Sequence, residues 1–374
     1  MQQRFLCLII WIWVLFTSFL NPANATEKIS TAPRTQAWYR EQVHELAAKH
    51  KIPLIQIAYK TPDCYIQFES AQFDFVSATK DCSTIYLSCS ISKVVFSYII
   101  LRLYDLGIID LDKPLWEYSG SVEERFRNAY NDSERSEQNV RWAKMITARM
   151  ILTHTTGLPR WASNWGEKSP SETAKLRFAW TPDTGFRYSN EAMWYLQRVV
   201  EKITGLSLEQ LARKYVLDPL GMADTSFEWR EAYRQTAASS YNANLECLGQ
   251  SAQIASCSAY SMRTNVKDFG RFIEALMEGK LLKPETHRMM ISPCRHTGGA
   301  CQYYGLGIQV MPNIGLDCGP VWVHSGSARG FRCRFWVLPK QKTWFIYFTN
   351  SANGRKIHPE LVRLFLPEYS GTEF

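Results

Sequence analysis

A serine and a lysine three residues apart stand at the start of a strongly apolar segment. Ser90 and Lys93 open a run that ends at Gly107, which is typical of a buried helix with a glycine at its C-terminus. Residues three apart lie on one face of a helix, so the amine would reach the hydroxyl. A buried lysine with a lowered pKa can accept the serine proton. The pair predicts a nucleophilic serine, although Ser-x-x-Lys alone also fits a serine that caps a helix.

A second motif, Tyr188-Ser189-Asn190, follows downstream, between Gly185 and a helical pattern. A turn at this place can direct the tyrosine and asparagine side chains into a cleft. Taken singly, the tyrosine could be a packing residue and the asparagine a helix cap.

The third motif, His324-Ser325-Gly326-Ser327, lies on a predicted strand near the C-terminus. In this order the three motifs resemble those of the serine β-lactamase and penicillin-binding-protein superfamily, which has Ser-x-x-Lys, a Tyr-x-Asn or Ser-x-Asn turn, and Lys-Thr-Gly or a His-x-Gly variant. The stretch Ile151 to Pro159 is also similar to that family. The tyrosine form resembles class C β-lactamases, D,D-carboxypeptidases and family esterases.

The resemblance implies a role for each motif residue. Ser90 would be the acylated nucleophile, and Lys93 and Tyr188 would share the general-base and general-acid roles in an order that stays open. The backbone NH groups of Ser90 and Ser327 would form the oxyanion hole. The implied substrate-binding residues are Asn190, His324, Ser325, Gly326 and Arg329.

This chain departs from the family where many relatives have lysine. His324 has an unperturbed pKa near 6.5 and would be mostly neutral at pH 7, so a fixed cation for a substrate carboxylate is missing. Arg329 or Arg332 could take that part. Tyr260 is bulkier than the glycine that relatives commonly have and is expected to reshape the cleft.

The resemblance implies an enzyme that hydrolyses an ester or amide through an acyl-Ser90 intermediate. The substrate could be a β-lactam, a D,D-peptide or a small ester. The alternative is a protein that is acylated but turns over slowly, like a receptor, or a non-catalytic scaffold.

Strand patterns lie at both ends of the chain and helical patterns lie between them. They predict an α/β (α+β) fold with a β-lactamase-like antiparallel sheet, built from about residues 33–110 and 300–374 and flanked by helices, with a mostly helical insertion at about 111–299. Strands are predicted at 54–59, 65–69, 73–77, 304–310, 321–324, 331–338 and 343–348. The polar stretch 117–144 is predicted to be a surface insertion or a loosely packed helical excursion.

The first 25 residues have the pattern of a signal peptide. Arg4 is followed by an apolar run from Leu6 to Leu20 and by small residues at 23–25. The run of about 15 residues is shorter than the roughly 20 that span a bilayer, so cleavage is favoured over an uncleaved anchor. We therefore expect an exported, periplasmic or secreted protein with one catalytic unit at 26–374.

Composition excludes some function classes. The net charge of +8 comes from scattered Lys and Arg, with no basic run, so nucleic-acid binding is not expected. Association with a cell wall or membrane surface is compatible with this charge. No Cys-x-x-Cys or His-x-x-x-His pair occurs, and we expect no metal and no cofactor. The expected partner is a small-molecule or peptide substrate, and the oligomeric state stays open.

Ten cysteines in an exported chain favour disulfides. Cys7 lies in the leader, which leaves an odd number. Proximity along the chain predicts that Cys89 is free and that the others pair as Cys64–Cys82, Cys247–Cys257, Cys294–Cys301 and Cys318–Cys333.

Overall fold

The computed structural model describes residues 34–162, 171–299, 302–312 and 319–367. Its helices are α1 (Gln36–Lys49), α2 (Ser92–Asp105), α3 (Leu115–Ser119), α4 (Ser133–Ala143), α5 (Ala148–Leu152), α6 (Asn190–Thr204), α7 (Leu208–Ala212), α8 (Tyr233–Thr236), α9 (Val266–Glu278), α10 (Pro284–Ile291) and α11 (His358–Phe365). Short 3₁₀ turns cover Cys89–Ile91, Glu124–Phe126 and Ala352–Arg355, and a π-helical turn covers Arg213–Leu217.

The strands, in chain order, are β1 (Leu54–Lys60), β2 (Tyr65–Ala71), β3 (Tyr86–Leu87), β4 (Ser240–Tyr241), β5 (Cys247–Gly249), β6 (Arg263–Thr264), β7 (Arg295–His296), β8 (Tyr303–Tyr304), β9 (Gln309–Met311), β10 (Val321–Ala328), β11 (Phe331–Leu338) and β12 (Thr343–Thr349). Eight of them form one sheet in the order β2-β1-β12-β11-β10-β9-β8-β7, and every neighbouring pair is antiparallel. The N-terminal hairpin therefore joins the C-terminal strands through β1 and β12, which confirms the predicted sheet of both chain ends.

Both faces of this sheet are buried. On one face, β1 and β12 pack with α1 and α11, and the rings of Tyr39 and Phe365 stack at 4.9 Å. On the other face lies the larger core, which contains α2, α6 and α9. Strand β12 is buried along its whole length, which explains why its sequence is an apolar run and does not alternate.

Helix α2 is the element that carries the first motif. Its apolar residues face inward on all sides, as expected for a helix in the middle of a core. The helix ends at Asp105 with Leu106 as its C-cap, and Gly107 follows with a φ of 71°, in the left-handed conformation that glycine adopts without strain. Lys93 is fully buried in this helix.

Three predicted segments differ from the structure. Residues 73–77 form a turn and not a strand, with the Phe73 and Phe75 rings stacked at 5.1 Å outside the sheet. Residues 304–310 are two strands, since the chain reverses where the Gly305 NH donates to the Ile308 carbonyl at 2.8 Å. The polar stretch 117–144 contains buried residues, including Phe126, because α3 and the 3₁₀ turn Glu124–Phe126 pack against α6.

The cysteine prediction is also corrected. The seven cysteines that the structure describes are free thiols, so the pairs Cys64–Cys82 and Cys247–Cys257 are not formed. Cys64 and Cys82 contact the cores on opposite faces of the sheet, while Cys247 is exposed and Cys257 is buried. Cys301 and Cys318, like the predicted leader at 1–25, lie outside the described residues.

Residues Gln36–Phe374 form one compact unit. Among the helices of the described ranges, none is both long enough and apolar enough to cross a bilayer.

Candidate active site

The Ser90 side chain lies at the entrance to helix α2. It belongs to the 3₁₀ turn Cys89–Ile91, and Cys89 has a φ of 52°, so the chain turns sharply just before the serine. Lys93 Nζ donates to Ser90 Oγ at 3.3 Å and to the Ala259 carbonyl at 2.6 Å. The amine is therefore held beside the hydroxyl by a second contact from a distant part of the chain.

The environment of Lys93 favours its neutral form. Burial lowers the pKa of its amine from 10.5 to about 7, and the positive charge of Arg160 lowers it further, while Cys257 and Cys89 oppose the shift. A neutral amine is present in a substantial fraction near pH 7. It can accept the proton of Ser90.

Tyr188 contacts the same serine. Its side chain lines the cleft beside Ser90, and Lys93 Nζ lies 4.9 Å from the centre of its ring. Burial holds the pKa of Tyr188 well above its usual value, so the phenol stays protonated. The structure thus brings Ser90, Lys93 and Tyr188 together, with one protonated group and one basic group on either side of the hydroxyl.

His154 positions Tyr188. Its Nδ1 accepts the Ser189 backbone NH at 3.2 Å, and its ring lies 4.4 Å from the ring of Tyr188 and 4.9 Å from that of Tyr304. Burial keeps the pKa of His154 well below its usual value, so the ring is neutral. The Ser189 hydroxyl caps helix α6 by accepting the Ala192 NH at 2.9 Å.

A buried ion pair holds the start of α6. Arg125 Nη2 lies 2.5 Å from Glu191 Oε1, and Glu191 Oε2 accepts the Ala162 NH at 3.0 Å. The Arg160 carbonyl accepts the NH groups of Asn190 and Glu191 at 3.1 Å. Sequence reasoning missed this support, because Arg125 lies in the stretch that was predicted to be a surface insertion.

Strand β10 forms the other side of the site. The Tyr304 hydroxyl is 2.7 Å from His324 Nε2, and His324 Nδ1 is 2.9 Å from the Ser325 carbonyl. Nδ1 therefore carries the proton, and Nε2 accepts from the tyrosine. Burial first, and then the charge of Lys93, lower the pKa of His324 to about 3, so this imidazole is neutral. The sequence predicts Tyr304 only as the first residue of a strand.

Gly326 allows β10 to approach the turn that carries Ser90. A Cβ at this position would lie 2.4 Å from the Ser88 carbonyl oxygen and 2.5 Å from Cys333 Sγ, which no side chain tolerates. Strand β9 pairs with β10 only from Val321 to Val323, so the following edge is open beside the cleft. Ser325 and Ser327 line the cleft along this edge.

The cleft has a volume of about 410 Å³. Its described lining is Ser90, Arg160, Phe186, Tyr188, Thr297, Gln302, Tyr304, Gln309, His324, Ser325 and Ser327. Arg160 is the only side chain in this set that carries a guanidinium, ammonium or carboxylate group. It lies outside the three sequence motifs and was therefore not predicted as a site residue.

Three predicted substrate-binding residues, Asn190, Gly326 and Arg329, are absent from this described lining. Asn190 is buried at the start of α6. Arg329 lies at the turn between β10 and β11, with its guanidinium beside the side-chain amide of Gln253.

The Beta-lactamase family model matches residues 77–365, which is most of the chain. The chain belongs to this family. The resemblance of the three motifs is thereby confirmed, and this family of serine hydrolases includes β-lactamases, esterases and D,D-peptidases.

Curated relatives of this Beta-lactamase family member include lovastatin esterase of Penicillium rubens, 26% identical over 38% of this chain and 39% of the relative. The carboxypeptidase/endopeptidase AmpH of Escherichia coli K12 is 27% identical over 37% of this chain and 35% of the relative. The unguisins hydrolase of Aspergillus violaceofuscus is 21% identical over 84% and 61%. The match covers less than two thirds of the length of each of these relatives, from 35% to 61%.

Solved structures confirm the fold. An octameric penicillin-binding protein homologue from Pyrococcus abyssi has a TM-score of 0.71 at 20% identity, over 87% of this chain and 76% of that one. A class C β-lactamase has a TM-score of 0.70 at 18% identity, over 89% and 96%.

Proposed function

We propose that this protein is a serine hydrolase that cleaves an ester or amide bond through an acyl-Ser90 intermediate. The observation that carries the proposal is the double contact of one hydroxyl. Ser90 Oγ is 3.3 Å from Lys93 Nζ, and the Tyr188 side chain lies beside the same hydroxyl. A serine that only caps a helix needs neither contact.

Acylation begins with the neutral amine of Lys93. It accepts the Ser90 proton while Oγ attacks the substrate carbonyl carbon. The carbonyl oxygen becomes negative and accepts hydrogen bonds from the backbone NH groups of Ser90 and Ser327. The protonated Tyr188 donates to the leaving oxygen or nitrogen, and the Lys93 ammonium returns a proton to the phenolate. Water then attacks the acyl-enzyme, with the proton transfers reversed.

The cleft favours substrates that carry an anionic group near Arg160 over substrates whose carboxylate faces β10. Arg160 contributes a positive charge to the lining, whereas the imidazole of His324 is neutral and already bonded to Tyr304. A parallel assay of nitrocefin, a D-Ala-D-Ala peptide and p-nitrophenyl esters with acidic and neutral acyl groups tests this choice. Faster turnover of the acidic ester than of its neutral analogue supports it.

The test of the nucleophile is covalent labelling. A fluorophosphonate and a fluorescent penicillin should label the wild-type enzyme at Ser90 and fail to label Ser90→Ala, whose hydrolysis rate should fall by about 10³-fold or more. Ser325→Ala, which removes another serine of the same cleft, should keep the label on Ser90. Peptide mapping that placed the label on Ser327 or Ser189 would overturn the assignment.

The alternative function is an acylated protein with slow turnover. Burst kinetics distinguish the two, because an enzyme shows steady release of product after the burst and a receptor shows the burst alone. We also infer export from the leader-like segment at 1–25. Mass spectrometry of the mature protein tests cleavage near residue 25.

A further inference from the structure

Two thiols meet directly behind the nucleophile. Cys89 is the residue before Ser90, and Cys333 lies on β11, opposite Gly326 of β10. Both cysteines are buried. The thiol of Cys333 donates to the Ser88 carbonyl at 3.1 Å and contacts the thiol of Cys89.

The position of Gly326 shows how closely the two side chains converge. A Cβ placed on this glycine would lie 2.5 Å from Cys333 Sγ and 3.0 Å from Cys89 Cβ. The predicted pairs Cys64–Cys82 and Cys247–Cys257 do not converge in this way. Cys64 and Cys82 contact different cores, and Cys247 is exposed while Cys257 is buried. Residues far apart in the sequence have become thiol neighbours through the packing of the nucleophile's turn on the sheet.

We propose that Cys89 and Cys333 are a covalent modification site, an oxidisable thiol pair whose disulfide ties the turn before Ser90 to strand β11 and slows acylation. The oxidant is a low-molecular-weight disulfide. One cysteine thiolate attacks it and releases one thiol, and the second cysteine then attacks the mixed disulfide and releases the other. The two cysteines lose two protons and two electrons, and the oxidant becomes two thiols.

The effect on acylation follows from the position of the bond. A disulfide holds its sulfur atoms about 2.05 Å apart, closer than two thiols in contact, so Cys89 and β11 must move together. Cys89 is already in a left-handed conformation, and the next residue supplies both the nucleophilic oxygen and one oxyanion-hole NH. A displacement of about 1 Å at such a place can cost about 100-fold in rate. The bond itself does not depend on the proposed function, whereas its effect on rate does.

Burial sets the conditions of the reaction. The pKa of the Cys333 thiol is raised well above its usual value, by burial first and by Cys89 second, so few thiolates exist at neutral pH. The oxidation of folded enzyme should therefore be faster at alkaline than at neutral pH.

The experiment treats the folded enzyme with hydroxyethyl disulfide, removes the reagent, and divides the sample. Non-reducing peptide mapping should find the peptides of Cys89 and Cys333 joined, with a loss of two hydrogen atoms. Acylation by a fluorophosphonate should be about 10- to 100-fold slower than in the reduced enzyme and should recover with dithiothreitol.

The variant Cys333→Ser should retain its rate in oxidant, since serine keeps a hydrogen-bond donor toward the Ser88 carbonyl. Cys247→Ser, which removes an exposed thiol, should respond like the wild type. Two results would overturn the modification site. One is that Cys89 can still be alkylated after the oxidant treatment of an enzyme that is folded and labelled at Ser90, and the other is a bond from Cys333 to Cys318. A mapped Cys89–Cys333 bond with an unchanged rate would overturn the effect on acylation, and loss of labelling on Ser90 in reduced enzyme would instead refute the proposed function.

Discussion

Lys93 and His324 lie beside the same cleft and are both buried basic side chains, yet their environments give them different roles. Burial is the main cause of the lowered pKa in both. The pKa of the lysine amine falls from 10.5 to about 7, and the pKa of the histidine falls from 6.5 to about 3. The lysine becomes a base that exchanges a proton near neutral pH, while the histidine becomes a permanently neutral hydrogen-bonding group.

The partners of the two side chains differ in the same sense. Lys93 Nζ contacts the Ser90 hydroxyl and a backbone carbonyl oxygen, so its amine can still gain or lose a proton. His324 has one nitrogen on a tyrosine hydroxyl and the other on a carbonyl oxygen. The comparison teaches that equal burial leaves a side chain able to accept a proton near neutral pH only where its unperturbed pKa starts several units above that pH.

The largest effect is expected on the lysine side. Lys93→Met keeps most of the side-chain volume and removes the base, so acylation should fall by about 10³-fold or more. Lys267→Met, at a lysine paired with Asp81 away from the cleft, is the control and should change the rate little. Stopped-flow acylation with a fluorescent penicillin measures both. A Lys93→Met enzyme within tenfold of the wild type would show that another group takes the proton.

Tyr188→Phe should cost less, about 10²- to 10⁴-fold, because it removes the proton donor to the leaving group and retains the base. The loss should be larger for an alkyl ester than for a p-nitrophenyl ester, whose leaving group needs no proton. Comparing kcat/KM for these two esters measures the difference. Equal losses for both esters would contradict the assigned role of proton donor.

His324→Lys would place a charged ammonium where the wild type has a neutral imidazole. An ammonium contributes about 1 to 3 kcal/mol to a charge-assisted hydrogen bond with a carboxylate. Acylation by substrates with a free carboxylate should therefore improve by about tenfold relative to neutral esters. His324→Gln, which stays uncharged, is the matched control. Equal effects of His324→Lys on charged and neutral substrates would show that the side chain at this position does not bind the substrate carboxylate.

The smallest expected effect is a shift of the pH profile. Only the neutral Lys93 amine accepts a proton, so kcat/KM should rise with pH through about 7. Arg160 lowers that pKa by its charge, so Arg160→Gln should move the rise to higher pH. Arg329→Gln, at an arginine outside the described lining, should leave the midpoint in place. An unchanged midpoint in Arg160→Gln would show that the two charges are screened from each other.

Local features of the site could be predicted from the sequence. Ser90 and Lys93 are three residues apart on an apolar segment, and helix geometry alone places such a pair on one face. Apart from 73–77, the predicted strands at both ends of the chain form the observed sheet, because long apolar runs have few other ways to be buried.

Contacts between distant segments could not be predicted in this way. Residues 73–77 have the composition of a strand, but the chain turns there, with the Val76 NH donating to the Phe73 carbonyl at 3.1 Å. The cysteine pairs were chosen by chain distance, whereas the sheet separates Cys64 from Cys82 and brings Cys89 to Cys333.

The order of the motifs along the chain was therefore enough to identify the residue types that can do chemistry and the family that uses them. Which of these residues are charged, and what each one contacts, depends on how the chain packs. The physical reason is that a side chain's pKa depends on its loss of water and on charges brought from other segments, such as Arg160 beside Lys93. Both the loss of water and the nearby charges depend on the packing of distant segments, so they cannot be derived from a short stretch of the sequence.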